Sequence, residues 1–275
     1  MWTLTGFADE VSPDFAEQLA LLGTLGIRHL ELRSAWGTKV LDLSEAERAD
    51  ARRMLDDAGV SVSSLGSNIG KIMIGDDFGP HLDRFRHGLD VAREFEAPYL
   101  RLFSFFLPLG QDPAGFREEV HARTAALVEA ARGSGVTLLH ENEKHIYGDT
   151  PQRCVELAEA MDDPGYRLIF DPANYVQCDV RPFDEAYPLV RPYTAYVHIK
   201  DALAGTHEVK PAGQGDGQVR EVLGALRDSG FDGFLSLEPH LGAFDAYGGL
   251  CGPQLWTSAH TALTGLLRDL DIEWA

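Results

Sequence analysis

Residues 137–171 read TLLHENEKHIYGDTPQRCVELAEAMDDPGYRLIFD. The opening TLLHE is a short apolar run that ends in a carboxylate, and the closing RLIFD is another. Neither run alternates apolar with polar, as expected for strands covered on both faces in a parallel sheet. Between them, Thr150 before Pro151 starts a segment of helical periodicity, with a hydroxyl able to cap the first amides and a proline suited to the first turn. The stretch is one strand-loop-helix-strand unit, and parallel strands need such a crossover.

Working outward, the same unit recurs. Apolar runs at 4–7, 29–33, 60–65, 99–103, 137–141, 168–171, 196–200 and 234–238 give eight strands. Helical periodicity fills 13–25, 44–58, 80–95, 116–133, 150–161 and 216–229. Ser12 before Pro13 reads as an N-cap, and Ser44 with Glu47 as a capping box. Gly26, Gly59, Gly135 and Gly230 each stand where a helix hands over to a strand, a junction that favours the left-handed conformation. No Pro/Ser-rich linker divides the chain. The expected fold is therefore α/β, a single (β/α)₈ TIM barrel spanning 1–275 as one domain.

Composition narrows the partners. With 44% hydrophobic and 24% charged residues the chain can bury a large core, and its net charge of −19 repels nucleic-acid backbones and anionic membranes. Cys154, Cys178 and Cys251 form no C-x-x-C pair, which fits a reduced cytoplasmic setting; neither a signal peptide nor a run of apolar residues long enough to span a membrane is evident. The runs 103–109 and 244–250 offer a pocket wall or the surface of a homo-oligomer.

In a barrel of this kind the carboxyl ends of the strands converge on one mouth, where the chemistry is placed. Glu141, Asp171, His198 and Glu238 end the last four strands, spaced 30, 27 and 40 residues apart. Taken singly, each has an ordinary explanation: a helix cap for Asp171, a satisfied core histidine for His198, ion pairs for the glutamates. Together on successive strands they make a hard, oxygen-rich set suited to one divalent metal ion, Mn²⁺, Mg²⁺, Co²⁺ or Zn²⁺, and three facing carboxylates require such compensation. Lys71, Arg101 and Lys200 at strand ends, and Asn174 three residues after Asp171, either address substrate oxygens or pair within this acidic mouth. Gly213-x-Gly215-x-Gly217 lacks the strand context of a dinucleotide fingerprint and reads as a flexible rim or lid; His145, Tyr147, His207 and His240 in the mouth loops read as rim residues in preference to ligands of a second or third metal.

The segments GFADEVS (6–12), GSNIGK (66–71), RLFS (101–104), HENE (140–143), FDPAN (170–174), HIKD (198–201) and LEPH (237–240) resemble the xylose-isomerase-like TIM-barrel family of sugar-phosphate isomerases and epimerases over nearly the whole chain. The resemblance implies that Glu141, Asp171, His198 and Glu238 hold the metal, and that Glu141 and Glu238 move protons on opposite faces of a small polyhydroxylated carbonyl substrate. Removal of a C–H proton beside a carbonyl would give an enediolate that the metal stabilises. Return of the proton to the same carbon epimerises, and return to its neighbour isomerises. Ketohexose 3-epimerases of the family carry Glu, His and Arg where this chain has Tyr147, Asn174 and Ala204, which points away from a free ketohexose. Inosose and 3-dehydroshikimate dehydratases share the ligand set, so a lyase is the alternative. Repair of abasic DNA conflicts with the charge, and a binder without catalysis is the remaining reading.

Overall fold

Residues that alternate inward and outward along short strands build the barrel in the computed structural model, which describes residues 1–245 and 248–275. Its strands are β1 (Thr3–Gly6), β2 (His29–Leu32), β3 (Ser61–Ile69), β4 (Tyr99–Leu102), β5 (Thr137–Glu141), β6 (Tyr166–Phe170), β7 (Thr194–Ile199) and β8 (Phe234–Leu237). The ladders of these eight strands are all parallel and run in the order β1-β8-β7-β6-β5-β4-β3-β2, with β1 and β2 side by side to bring the ring nearly closed. The (β/α)₈ barrel read from the sequence is the observed architecture.

The helices are α1 (Phe15–Leu25), α2 (Glu45–Ala58), α3 (Phe78–Glu94), α4 (Arg117–Ala131), α5 (Pro151–Met161), α6 (Pro172–Val176), α7 (Tyr187–Val190), α8 (Val219–Asp228) and α9 (Gly252–Asp269). The capping box at Ser44 and Glu47 forms as expected, and Gly26 and Gly59 end their helices in the left-handed region. Two expectations shift. Asp14, not Ser12, caps α1, because its carboxylate takes the amides of both Ala16 and Glu17, while the Ser12 hydroxyl accepts from Asp14 itself. Thr150 sits at the N-cap of α5 without a side-chain bond.

Barrel-facing positions follow a strict period of two. On β5 they are Leu139 and Glu141; on β7, Tyr196 and His198; on β8, Phe234 and Ser236. Leu139, Ile169 and Tyr196 plug the lower barrel against Tyr99 and Phe234. Above them lies a polar layer in which the Thr5 and Ser63 hydroxyls are 2.8 Å apart and Ser63 is 3.0 Å from the Tyr196 hydroxyl. A β-bulge places Ser64 rather than Ser63 opposite Glu31 and so turns an extra polar residue into this layer. Close approach at Gly66 makes room for Phe7 at the mouth, since a Cβ there would lie 2.5 Å from the Phe7 ring.

The glycine-rich loop after β7 is not a loose rim. Asp201 is fully buried and its carboxylate accepts from the amides of Gly213, Gly215 and Gly217 at 2.8–3.0 Å, drawing the loop onto the strand end. A side chain at Gly215 or Gly217 would strike that carboxylate, which is why glycine recurs there. Of the stretch 244–250, Ala243–Asp245 pairs antiparallel with Gly248–Leu250, and the remainder lies outside the described residues. Hydrogen bonds to an ionised group contribute about 1.5–3 kcal/mol each. Asp201→Ala is therefore expected to lower stability by at least ~2 kcal/mol in denaturant melts, with amide exchange at 213, 215 and 217 losing protection while the strands keep theirs; unchanged protection at those glycines would remove the clasp.

Candidate metal centre

The pleat that turns Tyr196 inward also turns His198 and Lys200 inward, so all three point up one side of the barrel axis. On the neighbouring strands the same parity brings Glu141, Asp171 and Glu238 to meet them. Ligand atoms of Glu141, Asp171, His198 and Glu238 lie within 4.8 Å of one another, and all four side chains are buried. His198 Nδ1 stands 3.3 Å from Glu141 Oε1, 3.5 Å from Glu238 Oε2 and 3.9 Å from Asp171 Oδ2. Donors held about 2.0–2.3 Å from one ion are separated by roughly 3.0–3.7 Å, so the set is close to coordination spacing. His198 Nδ1 and Asp171 Oδ2 are both buried with no hydrogen-bond partner of good geometry. Donor atoms left without a hydrogen bond in this way fit a hard divalent cation, which would displace the ring proton and take over from the Lys200 ammonium in neutralising them.

Each ligand is held from behind. Asp171 occupies the N-cap of α6, taking the Asn174 amide at 2.9 Å, while the Asn142 side chain brackets the Asp171 backbone through both its carbonyl and its amide. The Asn174 side chain donates to Glu141 Oε1 at 3.1 Å and to the Asn142 carbonyl at 2.8 Å. Arg101 donates to Glu141 Oε2 at 3.0 Å and to the carbonyls of Ser67 and Gly66, and approaches Glu238 Oε1 at 3.8 Å. Asn174 and Arg101, read from the sequence as possible substrate contacts, thus have their donors engaged by candidate ligands and backbone. Lys71 stacks over Phe103 at 4.3 Å and pairs with Glu143 at 3.2 Å, one step out from the cluster. Lys200 is in the cluster, 2.7 Å from Glu238 Oε2 in a hydrogen bond and 2.8 Å from Asp171 Oδ2 in an ion pair off the hydrogen-bonding direction.

Tyr147 and Ala204 offer nothing in place of the glutamate and arginine of ketohexose epimerases. The Tyr147 hydroxyl bonds to Glu156, and Ala204 contributes only its amide, to Asp216.

Strands β1 and β2 add residues that the sequence reading passed over. Phe7 is sandwiched between the guanidinium groups of Arg33, at 4.4 Å, and Arg101, at 4.7 Å. Arg33 makes two bonds to Asp9 at 2.9 Å and lies 3.5 Å from Glu238 Oε1. Glu10, pushed up to about 8 by burial, receives the His240 amide. Glu31 accepts from His198 Nε2. The signal was available: the strand-end rule, applied to LRS at 32–34 and GFADE at 6–10, marks the same mouth.

The electrostatics require a cation or its equivalent. Burial pushes Asp171 up to about 7, against the pull of Lys200 and with the push of Glu238 and Glu141. Burial acts the same way on Glu141, but His198 and Arg101 outweigh it and bring that group down to about 2. Burial opposes charge on His198, yet the surrounding glutamates hold its ring well above the usual histidine range. Without a divalent ion, protons and Lys200 supply the compensation.

Residues 19–248 match the family described as the xylose isomerase-like TIM barrel, and the chain belongs to that family. A 2-epi-5-epi-valiolone 7-phosphate 2-epimerase from Actinoplanes sp. is 30% identical over 225 residues, 80% of each chain. Among solved structures, a probable 3-DHS dehydratase, AsbF, from Bacillus anthracis superposes with a TM-score of 0.75 at 19% identity, covering 96% of this chain and 99% of the other. A xylose isomerase-like barrel from Mycobacterium smegmatis in complex with magnesium has a TM-score of 0.71 at 22% identity, covering 98% and 97%.

Saturating Mn²⁺ is expected to raise the melting temperature by roughly 5–10 °C over protein in EDTA, the effect of about 100 times Kd on a chain of this size; Asp171→Asn should erase the rise. The gap depends on pH with a definite sign. A carboxyl raised from 3.8 to about 7 stabilises the metal-free fold at low pH, and that contribution is lost as pH rises through the interval. The loaded protein, in which the ion replaces the proton, escapes the loss, so the gap should widen from pH 5 to pH 8; a gap independent of pH would contradict this assignment.

Proposed function

We propose that this chain is a divalent-metal-dependent isomerase or epimerase of a small sugar, sugar phosphate or related hydroxy-carbonyl compound. The observation that carries the reading is the meeting of three carboxylates and one imidazole at coordination spacing in the barrel mouth. The similarity to a 2-epi-5-epi-valiolone 7-phosphate 2-epimerase supports the same class.

An ion held by Glu141, Asp171, His198 and Glu238 would stabilise the negative charge that develops on a substrate oxygen when the adjacent C–H proton leaves. The chain's own residues do the rest. Glu141 and Glu238 come from β5 and the end of β8, and their cationic neighbours favour the ionised form of each, the form that can take a proton. Burial opposes that state in Glu238, but Lys200, His240 and His198 outweigh it; Lys200 stands at one oxygen, and Arg33 and Arg101 are near the other. Lys200 also presents an ammonium group beside the reacting centre, where it can donate to a substrate oxygen. The buried walls exclude water that would quench a carbanion-like species.

The second reading is a dehydratase. It shares the abstraction step and differs only in loss of the neighbouring hydroxyl; a buried ammonium 2.7 Å from Glu238 provides a donor to assist that departure. The two are separated by one experiment, incubation of candidate hydroxyketones with metal-loaded protein in D₂O. Epimerisation or isomerisation adds solvent deuterium at retained composition, and dehydration removes one water. Glu238→Gln is expected to keep the barrel, to weaken metal affinity through loss of one charged ligand, and to cut exchange and turnover by 10²–10⁴-fold even at saturating metal; wild-type rates in that metal-saturated variant would eliminate Glu238 as a proton carrier.

A further inference from the structure

A carboxylate buried in the middle of a barrel is costly unless it is paired, and Glu31 on β2 is fully buried. It belongs to the polar layer directly beneath the candidate metal centre. Its Oε2 accepts from Ser236 Oγ at 2.6 Å and from His198 Nε2 at 3.2 Å, while its Oε1 has no hydrogen-bond partner. The β-bulge between β2 and β3 falls at this residue, so the local backbone departs from regular pairing where Glu31 is aimed at the axis. Its partners come from β7 and β8, which also deliver His198 and Glu238 to the mouth.

Glu31 Oε2 already serves as acceptor for the Ser236 hydroxyl, and the ring nitrogen facing it is Nε2, so this contact places the ring proton on Nε2. That fixes which ring nitrogen is left for coordination. Nδ1 is turned toward Glu141, Glu238 and Asp171, and its lone pair is the one that can address a cation there. Phe7 and Tyr196 meet the imidazole edge-on at 5.4 and 5.9 Å and limit its rotation, but neither selects a tautomer.

We infer that Glu31 is a positioning residue for the metal centre: it acts through His198, holding the ring with Nε2 protonated and Nδ1 presented to the ion. The inference rests on the metal-site reading above. Outer carboxylates of this kind typically change metal affinity by about 10–100-fold. A role confined to filling the barrel would alter stability without altering which nitrogen carries the proton. Loss of negative charge alone would weaken binding, again without changing the tautomer.

The test uses full-length protein labelled with ¹⁵N-histidine and titrated with Zn²⁺ alone, following affinity by calorimetry and the His198 ring by NMR. In the wild type, the loaded ring should show a protonated Nε2 and a metal-bound Nδ1. E31L should bind Zn²⁺ about 10–100-fold more weakly and lose the single Nε2-protonated signature. E31Q, whose amide oxygen still accepts, should fall between the two, and it carries the test if E31L fails to fold. S236A, which leaves Glu31 in place but frees one of its holding bonds, should weaken binding less than E31L. Equal affinities and an unchanged ring signature in E31Q and E31L would overturn the inference. Failure of the wild type to bind Zn²⁺ would instead overturn the metal-site reading itself.

Discussion

Three carboxylates facing one another inside a closed barrel repel unless something positive stands among them. In the upper barrel nearly every other polar feature answers that constraint. Arg33 and Arg101 flank Phe7 and lean on Glu238; Lys200 bridges Asp171 and Glu238; His198 carries charge despite its burial. Asn142 holds the backbone of Asp171, and Asn174 donates to the carboxylates of both Asp171 and Glu141, which keeps these groups facing the cluster. A site that keeps its candidate ligands together without an ion would need little reorganisation to take one.

The scaffold is organised to make this possible. The lower barrel is plugged by Leu139, Ile169 and Tyr196, the middle carries a hydroxyl network, and the mouth carries the charges. Each layer is set by strand parity. Polar groups in the middle layer would be a liability in an ordinary core, yet here they link the rigid floor to the imidazole through Ser236 and Glu31. The clasp of Asp201 on its glycines does similar work outside, bringing the long loop after β7 down onto the strand that supplies His198 and Lys200.

Much of this was legible in the sequence, for identifiable reasons. Strands such as LLHE and LIFD announce themselves because both faces are covered, and helix ends such as Gly26 and Gly59 carry local conformational signatures. Glu141, Asp171 and Glu238 could be picked out because each closes an apolar run, and His198 because it stands near the strand end, in the polar stretch HIKD. Glu31 could not, since it lies within HLEL rather than at its end, and its histidine partner is 167 residues away. Asn174 could be placed at the mouth but its partner could not: its position three residues into α6 turns its amide back toward Glu141, which only the tertiary arrangement reveals. Ser12 lost the cap to Asp14 because a carboxylate spans two amides at once, a choice that spacing alone does not make.

The central claim is tested most directly by anomalous diffraction from crystals grown with Mn²⁺ or Zn²⁺, recorded on both sides of the metal's absorption edge. The account predicts one strong anomalous peak about 2.0–2.3 Å from Glu141, Asp171, Glu238 and Nδ1 of His198. A mouth without that peak, or a peak bound through other residues, would contradict it.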